Sequence, residues 1–520
     1  MINNKIMKTK DILKVLFIIV LTFTVANCAY NEDVIEELNV SREFAPVALT
    51  ARVRNQTIVE LNWTVDSNVD HYVVEISADD PTFSTIFKTV DVTSDQLPIQ
   101  IQLEGLTEYS IRVKGVSDRG LDDSTWAITT ATTLSEQIML PFQLCDVRAT
   151  EATLRWEAGL NVTHFILQPG DIRHDITAQE KTDGVAVVTG LTGETDYAAA
   201  LYNNAKIRGT ATFTTEVDPS TGTVIGPTDD LLAMISNAAS GAVLLLEGGD
   251  YTAQTGSVTL DKSITIRGLL SCDKPLLSNS FQLVDGATDV SLINLDLNGA
   301  TTIQDVVRYT GAGNYNSLLV SGCNIHDYDR SLIAGNVTDA IVQSVSVENC
   351  VVTNVLTSGG DFIDFRNSDA LNVSVTTSTF NNCAPGRDFI RLDAAGTSND
   401  TGLSINILID SCTLYACSNS DSRRILYVRF VTNDVTVSNT LIAETLSEGY
   451  ADRSGIDETP TFNNNNYFNA PGFYNTLQYI YDDGNYTTED PGFVDAANGN
   501  FTVTNQILLD NAVGDPRWRQ

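Results

Sequence analysis

Five short segments in the second half of the chain align, and their polar positions recur. They are Val306-Val307-Arg308-Tyr309-Thr310, Leu332-Ile333-Ala334-Gly335-Asn336, Phe362-Ile363-Asp364-Phe365-Arg366, Phe389-Ile390-Arg391-Leu392-Asp393 and Ile425-Leu426-Tyr427-Val428-Arg429. Period-two alternation sends Ile363, Phe365, Ile390, Leu392, Leu426 and Val428 inward. It leaves an outward ladder of Arg308, Ala334, Asp364, Arg391 and Tyr427. Thr310, Asn336, Arg366, Asp393 and Arg429 lie beside it, and Phe362 and Phe389 flank it on the same face. No lysine follows Lys274, whereas arginines recur at 308, 330, 366, 387, 391, 423, 424 and 429. Planar guanidiniums suit bidentate contacts to carboxylates or hydroxyls, and sugar rings stack on aromatic faces. The ladder reads in two ways. It is a glycan-binding groove built from Arg308, Phe362, Asp364, Arg366, Phe389, Arg391, Asp393, Tyr427 and Arg429, or an internal Asp–Arg ladder that solubilises a sheet face. The pattern leaves both open.

A ladder requires residues dozens of positions apart to lie in vertical register, and a second repeat supplies the reason. Segments centred on Leu295, Cys323, Cys350, Thr379, Cys412 and Thr440 recur 27 to 33 residues apart, one coil of a solenoid per repeat. Those centres would form an interior column, each about 4.8 Å above the last. Before the repeat, Asp229 and Asp230 can cap a short helix carrying Leu231, Leu232 and Ile235. Gly241-Ala-Val-Leu-Leu-Leu-Glu-Gly-Gly-Asp-Tyr251 and Ser263-Ile-Thr-Ile-Arg-Gly268 follow. Capping helix, first coil and repeat together resemble a right-handed parallel β-helix of the pectate-lyase-like kind, expected over 229–470. Residues 471–520 are expected to cap its last open edge.

Composition narrows the chemistry. The 520 residues carry a formal charge of −35 with a pI near 4.2, which excludes nucleic acid as a partner. The four histidines, at 71, 164, 174 and 326, have no metal-ligand or triad spacing, so zinc hydrolysis and Ser-His-Asp chemistry are poor bets. The cysteines after Cys28 sit in strand-like contexts and are read mostly as buried thiols, with a Cys383–Cys417 disulfide left open.

The region ahead of the coils has another pattern. Short alternating strands run through 44–135, with Val59-Glu60-Leu61-Asn62-Trp63 ending on a large aromatic and Leu106-Thr107-Glu108-Tyr109 placed as a tyrosine corner. These residues resemble a fibronectin type III domain. A divergent second copy over 138–217 has Leu154-Arg155-Trp156 and a corner at Leu191-Thr192-Gly193-Glu194-Thr195-Asp196-Tyr197, and 218–228 reads as a linker. The fold class is therefore all-β: two sandwiches followed by a parallel β-helix.

At the start, Lys5, Lys8, Lys10 and Lys14 precede an apolar run from Val15 to Val25 and then Val25-Ala26-Asn27-Cys28. This resembles a bacterial lipoprotein signal over 1–28 with Cys28 as the lipidated residue, although Asn27 departs from the usual small residue. The acidic linker, 29–43, resembles the tag on lipoproteins exported to the surface of Gram-negative glycan degraders. The combination resembles poorly characterised surface lipoproteins encoded with polysaccharide-utilisation genes. That likeness implies an outer-membrane protein anchored by lipid and facing the exterior. Its partners would be a polysaccharide and other glycan-utilisation proteins, and it would capture glycan on the β-helix face.

The alternative implied by the fold is a polysaccharide lyase acting on uronate polymers by calcium-assisted β-elimination. Arg391 or Arg366 would be its base, and Asp361, Asp364, Asp388 and Asp393 would be the calcium ligands. An arginine base demands unusual surroundings, because the guanidinium is almost always protonated. A pectin hydrolase is disfavoured, since the Gly-His-Gly and Arg-Ile-Lys segments of that family are absent.

Overall fold

The structure, a computed structural model, describes residues 41–335, 337–356, 359–393, 403–429, 432–452, 460–478 and 480–519. The leader, Cys28 and Asn336 lie outside the described residues. The chain divides into two compact units, one of residues 1–137 with 206–208 and one of 138–205 with 209–520.

In the first unit, strands Val47–Arg54, Ile58–Thr64 and Ile99–Gln102 form one sheet. Lys88–Val92, His71–Ala78, Glu108–Val116 and Ala127–Thr132 form the other. Every second residue points inward, so Trp63, Tyr72, Val74, Tyr109 and Ile111 share a core. The corner expected at Tyr109 is present: its hydroxyl accepts the Glu104 N–H at 3.0 Å. This is a fibronectin type III-like sandwich.

The second unit begins with another such sandwich. Trp156 is buried against Phe165, and the Tyr197 hydroxyl accepts the Thr192 N–H at 3.0 Å. The sandwich is tied to the β-helix by a disulfide between Cys145 and Cys272. Two polar contacts reinforce the junction: Arg267 Nη1 pairs with Glu194 at 2.6 Å and the Ser271 N–H donates to Glu216 at 2.9 Å. The expectation of mostly free thiols is corrected for these two cysteines, which lie in loops that only the tertiary fold brings together. Cys323, Cys350, Cys383, Cys412 and Cys417 are free and buried, so Cys383 and Cys417 are unbonded.

The β-helix consists of three parallel sheets visited in turn by every coil. A long sheet holds Asp289–Ile293, Gly313–Ser321, Ala340–Glu348, Asn372–Thr376, Ile405–Asp410 and Asn433–Ser438. A corner sheet holds Asp296–Asn298, Asn324–His326, Val351–Thr353, Thr379–Asn381, Thr413–Tyr415 and Leu441–Ala443. A ladder sheet holds Gly256–Leu260, Asn279–Leu283, Asp305–Tyr309, Ser331–Gly335, Ile363–Phe365, Ile390–Leu392, Leu426–Val428 and Tyr450–Asp452.

The sharp bend between long and corner strands explains the repeat seen in the sequence. One residue of each bend is left-handed: Asn294, Gly322, Asn349, Thr377, Ser411, Asn439 and Asn464 all have φ between 46° and 63°. Asparagine and glycine tolerate that region best, and at Gly322 a Cβ would lie 2.3 Å from Asn294 Oδ1. The residue after the bend points inside, giving a column of Leu295, Cys323, Cys350, Ser378, Cys412 and Thr440. Ser378 replaces the expected Thr379. Thr379 is also buried, but on the outer side of the corner sheet, beneath a later segment of the chain.

That segment corrects the expected role of 471–520. Tyr486–Thr487 extends the corner sheet past the last coil, as a cap would. Residues beyond 490 instead double back over earlier coils. Val503, Leu508 and Val513 pack on Leu441, Gly514 N–H donates to Asn439 at 2.7 Å, and Trp518 Nε1 donates to Thr379 Oγ1 at 2.7 Å. Arg517 Nη2 reaches the Asn349 carbonyl at 2.9 Å. At the other end, Leu231–Asn237 is the expected capping helix, its start held by the Asp230 side chain accepting the Ala233 N–H. Leu231 and Ile235 are buried, whereas Leu232 is exposed.

The disulfide gives the first prediction. Peptide mapping without reductant should recover a linked pair containing Cys145 and Cys272, with the five coil cysteines alkylated only after unfolding. Cys145→Ser should destabilise the second unit by about 2–4 kcal/mol in urea unfolding.

Candidate functional site

Strand pairing on the ladder sheet places Gln282, Arg308, Ala334, Asp364, Arg391, Tyr427 and Ala451 in one column, each in register with the next. The expected ladder and its order are therefore present. Arg366, Asp393 and Arg429 lie in the adjacent column. A third column, two residues before each strand's first inward residue, runs Asn279, Asp305, Ser331, Asp361, Asp388, Arg424 and Glu448. It holds Asp305, Arg330's partner, and Arg424, which periodicity alone did not single out.

The middle of this face is a closed ion-pair network. Arg366 Nε lies 2.8 and 2.9 Å from the two Asp364 oxygens. Arg391 donates to Asp393 Oδ2 from Nη2 at 2.5 Å and from Nε at 3.1 Å, and to Asp361 Oδ2 at 3.3 Å. Arg424 pairs with Asp388 Oδ1 at 3.6 Å, while its backbone N–H donates to that oxygen at 2.9 Å. Arg391 and Arg424 both lie over the Tyr427 ring, 4.7 and 4.9 Å from its centre. Asp361 and Asp364 are fully buried, and Asp388 Oδ2 is buried without a hydrogen-bond partner. Burial pushes the Asp388 carboxyl above its ordinary value, and burial with the nearby Asp364 and Asp388 charges does the same to Asp361.

Two expectations change. Phe362 and Phe389 are fully buried, stacked with centroids 4.6 Å apart and edge-on to Phe380. They precede the strands, where the chain turns the corner of the coil and two consecutive side chains point inward, so strict alternation fails. They are core residues and offer no face to a sugar. Arg366 and Arg391 are poor bases. The hydrogen bond that Arg366 donates to Asp364 raises the Arg366 value. Burial pulls Arg391 down, yet Asp393 and Asp361 hold it above the ordinary arginine range. Asp361, Asp364, Asp388 and Asp393 do gather on one face, but each is paired with a guanidinium, and backbone N–H groups also donate to Asp361, Asp364 and Asp388. Among the described residues no group of three or more carboxylate, histidine or cysteine side chains is arranged to hold a metal ion. Arg429 is exposed.

At the start of the ladder the face opens into a groove of about 490 Å³ lined by Ser257, Gln282, Gln304, Asp305, Arg308 and Arg330, among others. Unlike the middle of the ladder, it is polar and accessible.

Two family models match the chain, both described as domains of unknown function: DUF4957 over residues 249–383 and DUF5123 over residues 407–518. No curated protein matches. Among solved structures, a two-domain fibronectin type III segment of chicken tenascin is 14% identical. It covers 32% of this chain and 97% of that one, with a TM-score of 0.23. The central fibronectin III array of RIM-binding protein is 16% identical, covering 36% and 65% with a TM-score of 0.14. The first three fibronectin domains of chicken CNTN1 are 15% identical, covering 34% and 68% with a TM-score of 0.16.

Two predictions separate core from face. Phe389→Ala should cost about 3–5 kcal/mol in urea unfolding, as a core truncation does. A buried carboxyl with a raised value stabilises the fold below its unfolded value, near 3.8, and loses that contribution as pH rises through the folded value. Asp388→Asn removes this term, so the melting temperature of the variant relative to the parent should climb between pH 4 and 7. A pH-independent difference would remove the buried-acid account.

Proposed function

We propose that the protein is a cell-surface lipoprotein that captures polysaccharide along the ladder sheet of its β-helix. The observation that carries this reading is one sheet face presenting guanidiniums and carboxylates in register over successive coils and opening into a polar groove. A linear polymer with hydroxyls at regular intervals matches such a row of planar donors and acceptors. The Cys145–Cys272 disulfide supports an oxidising compartment, in keeping with export and anchoring through Cys28. The sandwiches then serve as spacers between membrane and β-helix, and partner proteins of glycan utilisation would receive the captured chain.

Binding is favoured over β-elimination because the arginines that a lyase would need as bases are held protonated by their carboxylate partners. Uronate polymers incubated with the protein and calcium should yield no unsaturated product, and turnover lost in Arg391→Ala would reverse the assignment. In affinity electrophoresis over neutral and acidic polysaccharides, at least one polymer should retard the protein. Arg429→Ala, at an exposed position, should weaken that retention by about tenfold, the loss expected for a hydrogen bond to a charged group. If every polymer in the panel leaves mobility unchanged, the reading fails.

A further inference from the structure

The groove at the start of the ladder differs in charge from the rest of the face. Arg330 donates from Nε to Asp305 Oδ1 at 2.8 Å and from Nη2 to Oδ2, and Arg308 Nη1 reaches the same Oδ2 at 3.1 Å. Asp305 is 2% exposed, and the two arginine side chains are 28% and 20% exposed. Two guanidiniums thus share one carboxylate, leaving a local excess of one positive charge in a chain of formal charge −35. Further along, Asp361, Asp364, Asp388 and Asp393 are matched by Arg366, Arg391 and Arg424, with Arg423 also close to Asp388, so no such sharing of one carboxylate by two guanidiniums recurs there.

The cationic excess is also unspent. Arg308 Nε and Nη2 and Arg330 Nη1 make no hydrogen bond to a described residue. They border a groove whose other lining includes Ser257, Gln282 and Gln304, neutral groups able to meet hydroxyls. Ser331 Oγ, in register with Asp305, and Asn279 Oδ1, on the preceding ladder strand, are buried without partners. Partial burial keeps solvent from screening the excess charge as fully as it does on an open surface.

We propose that this groove seats an anionic substituent of the bound glycan, a carboxylate or a sulfate, between Arg308 and Arg330, while Ser257, Gln282 and Gln304 meet neighbouring hydroxyls. The inference rests on the glycan-binding reading and adds the charge class of the ligand and the place where it is recognised.

The test uses the purified full chain with three probes in affinity electrophoresis and calorimetry: polygalacturonate, dextran sulfate and uncharged dextran, alongside a panel of neutral polysaccharides. Retention by polygalacturonate identifies a carboxylate, and retention by dextran sulfate a sulfate. Either should fall at least tenfold in Arg330→Gln and in Arg308→Gln, and again in 0.5 M salt. Arg308 makes a single contact at a more exposed position, so its variant reports even if Arg330→Gln unfolds, and thermal melts check both. Binding of neutral polymers alone would overturn this inference and leave glycan capture standing, as would anionic binding indifferent to Arg308→Gln. Failure of every polymer would overturn both.

Discussion

Backbone hydrogen bonds between successive coils are the constraint on which the rest of this β-helix depends. They hold Arg308 over Gln282, Asp364 over Ala334 and Arg391 over Asp364 with no freedom to slip. A shift of one residue would exchange inside for outside along the whole strand. Fixed register also means that side chains of like charge stack about 4.8 Å apart, where two carboxylates at a surface-like dielectric of 20 repel by about 3 kcal/mol. Asp361 and Asp388 are stacked in this way. The fold tolerates them because Arg391 pairs with Asp361 and Arg424 with Asp388, and because burial favours retaining a proton.

The same arrangement makes the face uneven. Its middle is internally paired: Arg391 and Arg424 sit over Tyr427, Arg366 and Arg391 bond to Asp364 and Asp393, and the carboxylates are buried. Those residues hold the sheet in shape and present guanidinium edges. At the first coils the balance tips toward cations and the surface recedes into a groove. The self-neutralising ladder drawn from the sequence describes the centre of the sheet, and an open polar recess lies at one end.

Much of this was legible in the residues. The coil length, the order of the outward ladder, the capping helix and both tyrosine corners follow from periodicity and turn chemistry, which are local. What escaped was set by geometry beyond the strand. Phe362 and Phe389 sit where the coil bends, so alternation pointed them outward when they face the core. Ser378 and Thr379 are both small and polar, and only strand pairing decides which of them joins the interior column. Asp305 and Arg330 are 25 residues apart in sequence and become partners through stacking of adjacent coils. Cys145 and Cys272, 127 residues apart, carry no spacing signal at all.

The returning segment beyond residue 490 bears on what counts as a domain here. DUF4957 ends at residue 383 and DUF5123 begins at 407, yet Arg517 and Trp518, inside the second, bond to Asn349 and Thr379, inside the first. Strands Asn372–Thr376 and Ile405–Asp410 pair directly across the gap between the two. Severing the chain there would bare a row of unpaired amides on each fragment and strip the outer side of the corner sheet from one of them. The two matched regions thus share one continuous hydrophobic core, and neither has a core that is closed without the other.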